Sequence, residues 1–220
     1  MFDRRLGALL VTASIALLLA LTGCGQETSA DTAASSSAAT TAPMADMTID
    51  EYLRQHGVTG LRQTAADLTG KGLQISLYQP PNWFIDRNNQ VPNTFAVMTN
   101  SLAADEKFVP NAVVIVTKLT GDFDPAEAIT RGPTDTQRYP GFVQQAVEVT
   151  TVDGLPTSTV TGTFPSDGKS LRVTNRYAIA TVGALHYAVL LTVTTTAAQA
   201  DSLQSDVTAL VDGLTITEAS

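Results

Sequence analysis

Four alternating stretches separated by turn residues constrain the fold more than any other feature of this chain. Val143 to Val152 leads into Asp153-Gly154, Thr157 to Phe164 into Ser166-Asp167-Gly168, and Ser170 to Thr181 into Val182-Gly183; Leu185 to Thr195 closes the series. Asp-Gly pairs and glycines accept the positive φ that tight hairpin turns require, so the spacing predicts an antiparallel meander. Leu171, Val173, Tyr177 and Ile179 alternate with Arg172, Thr174 and Arg176, while Leu185, Tyr187, Val189, Leu191 and Val193 share a face. One side of this sheet is expected to be core.

The flanking elements are legible from caps and breakers. Thr48-Ile-Asp-Glu51 has the form of a capping box, Ile49, Tyr52 and Leu53 lie on one helical face, and Gly57 supplies a stop. Leu73 to Tyr78 alternates as a strand until Pro80-Pro81-Asn82 breaks it. Thr94 to Thr99 and Ala112 to Leu119 read as further strands. The second carries Val113-Val-Ile-Val116 and is expected to be central and buried on both faces. Asp124-Pro125-Ala-Glu127 opens a short helix, with Glu127 completing the box, that Gly132-Pro133 is expected to end. Thr196 and Gln199 cap a final helix whose stripe is Ala200, Leu203, Val207, Leu210 and Val211. Gly213 ends it, and Leu214 to Thr217 adds an edge strand. The fold class expected is α+β, an antiparallel sheet flanked by helices.

The N-terminus says where such a domain resides. Arg4 and Arg5 precede an apolar run from Leu6 to Leu21, which is short for the roughly 20 residues of a spanning helix. Leu21-Thr22-Gly23-Cys24 then fits a lipobox, with cleavage before Cys24 and acylation of its thiol. Two or three acyl chains, at about 0.8 kcal/mol per buried methylene, hold a protein to a bilayer durably. Residues 1–23 are therefore read as signal peptide and 24–46 as the lipidated cysteine with an Ala/Ser/Thr tether. One globular domain follows over 47–217, and 218–220 form a tail. The tether has Met44 as its one large apolar residue, and its random-coil reach is on the order of 25 Å. Loss of Asp3, Arg4 and Arg5 turns 13 basic and 21 acidic residues into 11 and 20, a net charge of −9 against −8 for the whole chain. A balance this acidic, without clustered Lys and Arg, argues against nucleic acid or anionic-lipid headgroups as principal partners. With Cys24, the lone cysteine, acylated, the fold has no disulfide and rests on burial.

Candidate chemistry is thin. The two histidines are His56, beside helix-ending Gly57, and His186, on the strand face opposite Tyr187. A hydrolase would have to use His186, but no Gly-x-Ser-x-Gly elbow presents a serine. Asp122 and Asp124 suggest a metal-binding Asp-x-Asp, but capping explains Asp124 without a metal, and two carboxylates fall short of the six to eight oxygens that calcium wants. No phosphate-cradling loop or paired-cysteine motif exists. No cofactor, metal or catalytic residue is therefore expected. Trp83, Phe84, Phe123, Tyr139 and Phe142 fall in loops or at element ends. Each singly fits a plug at the sheet ends. As a set they are the candidate ligand-binding or docking site, with Trp83 foremost because the prolines before it fix its direction.

Pro80-Pro-Asn-Trp83, Lys118-Leu-Thr-Gly-Asp-Phe-Asp-Pro-Ala126 and Pro140-Gly-Phe142, taken in order with the opening and closing helices, resemble the LpqN/LpqT lipoproteins of mycobacteria and relatives. The resemblance implies a Mog1/PsbP-like α/β/α sandwich. It also implies an exported, acyl-anchored protein on the outer face of the cytoplasmic membrane, with no enzymatic residues to carry over; whether part of the mature chain is released stays open. The functions it implies are binding of an apolar or glycolipid envelope ligand, or docking on an envelope transporter or enzyme.

Overall fold

The computed structural model describes residues 46–86, 91–105 and 108–218. Residues 1–45, with the lipobox, Cys24 and nearly all of the tether, lie outside the described residues.

The meander forms as its turns dictate. Strands β6 (Val143–Val152), β7 (Leu155–Ser166), β8 (Lys169–Val182) and β9 (Leu185–Thr196) pair in sequence order, all antiparallel. Asp153-Gly154 and Asp167-Gly168 hold positive φ at both turn residues (52° and 81°, 49° and 74°), as a two-residue turn between right-twisting strands needs. The sheet continues from β9 through β5 (Asn111–Thr120) and β4 (Ala96–Thr99) to the short β3 (Phe84–Ile85). β1 (Thr59–Gln63), followed by the single turn α2 (Ala65–Leu68), pairs with the remaining length of β5. β5 is central, as expected, but its two faces differ. Ala112, Val114 and Val116 are wholly buried, whereas Val113 and Ile115 are only half-buried.

Register corrects the expectation that one side of the sheet is core. Tyr177 lies opposite Leu190, and Arg176 opposite Leu191, so the two apolar rows read from β8 and β9 point to opposite faces. Both faces are covered. On the Leu191 face sit α5 (Gln204–Asp212) and a separate two-stranded sheet of β2 (Leu73–Leu77) with β10 (Leu214–Glu218). Arg176 is buried there and donates to the carbonyl of Val211 near the end of α5, where a helix terminus welcomes positive charge. On the Leu190 face sit α1 (Ile49–Gln55), α3 (Pro125–Ile129) and α4 (Gly132–Gln137). The antiparallel sheet between helical layers is thus present, with the β2–β10 pair completing one layer.

Local signals explain the remaining differences. Gly132-Pro133 does not end a helix but begins α4, since proline is tolerated in the first turn. Gly132 permits a close approach: a Cβ there would lie 2.7 Å from the Ser158 hydroxyl. Asp124 caps α3 as expected, accepting from the Ala126 and Glu127 amides at 2.8 and 3.2 Å. Glu127 does not complete that box; it accepts from Tyr52 and Arg131 instead. The Thr196–Gln199 box caps a single 3-10 turn, and α5 starts five residues later.

Candidate functional site

The five aromatic candidates do not come together as one set; Tyr139 and Phe142 meet, edge to face at 6.2 Å, and the others lie apart. Trp83 is wholly buried on the Leu191 face, and its indole Nε1–H donates to Asp206 of α5 at 3.0 Å. The expectation that it lines a pocket mouth is corrected: the turn after Pro80-Pro81 aims it into the core. Phe123 is buried on the opposite face and meets the His186 ring edge-on at 4.9 Å. Tyr139 and Phe142 pack around Phe164 at the far end of that face, where Asn175 donates to the Tyr139 hydroxyl at 3.2 Å. Phe84 alone is well exposed, on the edge strand β3. His56 closes α1, its Nδ1 2.8 Å from the Tyr52 carbonyl, and His186 Nδ1 lies 2.9 Å from the Thr181 hydroxyl. Among the described residues no three His, Cys, Asp or Glu side chains group as a metal site would require.

What the fold does assemble is a cavity of about 80 Å³ between α1 and the sheet. Ile49 and Leu53 of α1 form its outer wall; Ile115, Leu119, Ile179 and Leu190 form its floor, with Tyr177 and Ile129 at the side. The space exists because small residues lie beneath the helix: Gly60, Thr117 and Ala188 share this face and line it. The half-buried state of Ile115 is the same fact seen from the sheet. By the measure in which one water needs ~10–15 Å³, the cavity has room for several waters or a short alkyl segment.

Three charged residues line the cavity: Asp50, Arg62 and Asp135. Asp135, on α4, accepts the Ile49 amide at 2.8 Å and so satisfies an orphan donor of α1's first turn. Burial is the main cause that pushes its carboxyl up to about 7, with Asp50 and Glu51 adding to the rise and the Ile49 amide and Arg138 opposing it. Arg138 clamps the same helix end, donating to Glu51 and to the Asp46 carbonyl at 2.6 Å each. That guanidinium holds the Glu51 carboxyl down at about 2. The capping box read from Thr48 and Glu51 is formed, at 3.1 and 2.8 Å. Sequence reasoning missed this site. Its available signal was Pro133 with Asp135 after it, the proline and first-turn acid of a helix start; nothing comparable marks Arg62.

The family described as Probable lipoprotein LpqN matches residues 45–217. The chain belongs to this family. Among its relatives, the lipoprotein LpqT of Mycobacterium leprae is 31% identical over 219 residues, covering 96% of this chain and 97% of the relative. The proline-rich 28 kDa antigen of Mycobacterium tuberculosis is 34% identical over 174 residues, 79% of this chain, which spans only 55% of that antigen's length. The crystal structure of LpqN from Mycobacterium tuberculosis, a protein described as involved in cell envelope biogenesis, superposes with a TM-score of 0.69 at 22% identity. It covers 78% of this chain and 98% of LpqN. That likeness is one of fold.

Proposed function

We propose that this protein is an acyl-anchored cell-envelope lipoprotein of the LpqN family that acts as a non-catalytic binding module. Its cavity between α1 and the sheet takes an apolar chain of an envelope lipid or glycolipid. The observation that carries this reading is the apolar cavity itself, walled by Ile49, Leu53, Ile115 and Leu190 and open beneath a short helix. Its setting is supported by the lipobox at Leu21–Cys24 and by family members that are named as lipoproteins. The role in envelope biogenesis is taken from LpqN. Docking of the same aromatic loops on an envelope transporter or enzyme is the second reading; burial of Trp83 and Phe123 weighs against those two as contacts, while Phe84 is exposed. A hydrolase using His186 has little behind it, since the neighbours that the structure gives this ring are the Thr181 hydroxyl and Phe123, with no carboxylate among them to orient it.

The test uses the chain from residue 24 with Cys24→Ser, incubated with total envelope lipid and examined by native mass spectrometry. A discrete bound mass is expected, and Ala188→Leu, which fills the cavity floor, is expected to lower occupancy at least tenfold with the circular dichroism unchanged. Protein that stays empty, or Ala188→Leu that binds as well as the parent, would overturn the reading.

A further inference from the structure

Arg62 is the one cavity-lining residue whose charge the described fold leaves unanswered. It lies on β1 opposite Thr117, half-buried, with the cavity in front of it. No hydrogen bond or ion pair holds its guanidinium: the ion pairs among the described residues are Arg54–Asp50, Arg131–Glu127, Arg138–Glu51 and Lys169–Asp105. The nearby carboxylates are committed elsewhere. On α1, Asp50 is held by Arg54 at 2.9 Å and Glu51 by Arg138 at 2.6 Å. On α4, Asp135 takes the Ile49 amide. Asp50 acts on Arg62 only through space, and desolvation outweighs it, drawing the guanidinium below its ordinary value. Asp135, kept largely protonated below neutrality by burial, does not cancel the charge.

A partly desolvated cation at an apolar cavity is unfavourable unless something negative meets it. An anionic oxygen pair is what a planar guanidinium grips best, through two parallel charge-assisted hydrogen bonds. We propose that the ligand of this cavity is a single-chain amphiphile whose headgroup is anionic, a carboxylate or phosphate on an alkyl chain, with the chain under α1 and the headgroup on Arg62. This rests on the cavity being a binding site and adds the chemistry of the ligand's polar end. The rest of the chain's acidity works in the same direction, because it discourages dense anionic surfaces while leaving one positive group to select a single headgroup.

The experiment is a calorimetric titration, at about pH 6 and below micelle concentrations, of the chain from residue 24 with Cys24→Ser. Decanoate, decyl phosphate, decyl maltoside and decyltrimethylammonium are compared. At least one anion is expected to bind tenfold or more tighter than the maltoside, with the cation weakest; which anion wins identifies the headgroup. Arg62→Gln is expected to bring the anions down to the maltoside's affinity, and Arg62→Lys to keep part of the preference. Unchanged maltoside binding in both variants shows that the fold and cavity persist. Anions that bind no tighter than the maltoside, or an anion preference that survives in Arg62→Gln, would overturn the inference and leave the cavity as a binding site. If none of the four binds, the binding-module reading falls and this inference with it.

Discussion

Asp135 ties the stability of the fold to pH near neutrality. Its carboxyl is at about 7 in the native state against 3.8 as its ordinary value, so between these the folded chain holds a proton that the unfolded chain has released. The associated stabilisation is complete below about pH 4 and is lost as pH rises through about 7, by roughly 4 kcal/mol in all. Glu51, lowered to about 2 by Arg138, works in a separate window: its contribution is present above its ordinary 4.5 and lost as pH falls toward 2. Urea unfolding in steps from about pH 4 to about pH 8 is therefore expected to show falling stability, with Asp135→Asn flattening the slope; a parent protein that is flat over that range would refute the assignment. Trp83 makes a different point at the same scale. Its burial and its bond to Asp206 make Trp83→Ala a core deletion, expected to cost about 3–5 kcal/mol in denaturant unfolding. A loss under about 1 kcal/mol would mean that the indole is not packed as described. Neither role was legible in the sequence. A tryptophan after two prolines reads equally as a surface anchor or a core plug, and only the position of α5 decides.

At the scale of elements, α1 is the wall of the cavity and the part most dependent on its neighbours. Seven residues are too few for a helix to persist alone, so its caps and contacts decide its position. Thr48→Ala removes one half of the capping box and is expected to cost about 1 kcal/mol and to weaken ligand uptake in the same protein. Thermal unfolding and native mass spectrometry on one sample test both, and an unchanged melting temperature would contradict it. The helix was legible because its signals are local: Thr48 and Glu51 are three residues apart, and Ile49, Tyr52 and Leu53 share a face. The hairpins of the meander were legible for the same reason, their turns, two of them Asp-Gly and the third at Gly183, being complete within a few residues. β1 was not, and β2 and β10 were legible as strands but not as a pair. Thr59-Gly-Leu-Arg-Gln63 carries no strong alternation, and pairing of Ile75 with Ile216 joins the two ends of the domain. In α4 the signal was present but ambiguous, since Gly-Pro both ends helices and begins them.

For the whole molecule, the apolar rows of β8 and β9 were read correctly, while the one-residue register that sends them to opposite faces belongs to the pairing and not to either strand. A sheet covered on both sides has two helix–sheet interfaces, and the cavity of about 80 Å³ lies in the one under α1. That is why the site escaped sequence reasoning. It is made of volume that Gly60, Thr117 and Ala188 do not occupy, on strands brought together from distant parts of the chain, and missing volume leaves no motif. The most direct measurement is methyl-resolved NMR of the chain from residue 24, Cys24→Ser, titrated with a decyl-chain amphiphile. The methyl signals of Ile49, Leu53, Ile115 and Leu190 are expected to shift together and to show contacts with the alkyl chain. Signals that stay fixed there, or shifts confined to Ile85 at the exposed β3 edge, would contradict the cavity as the binding site.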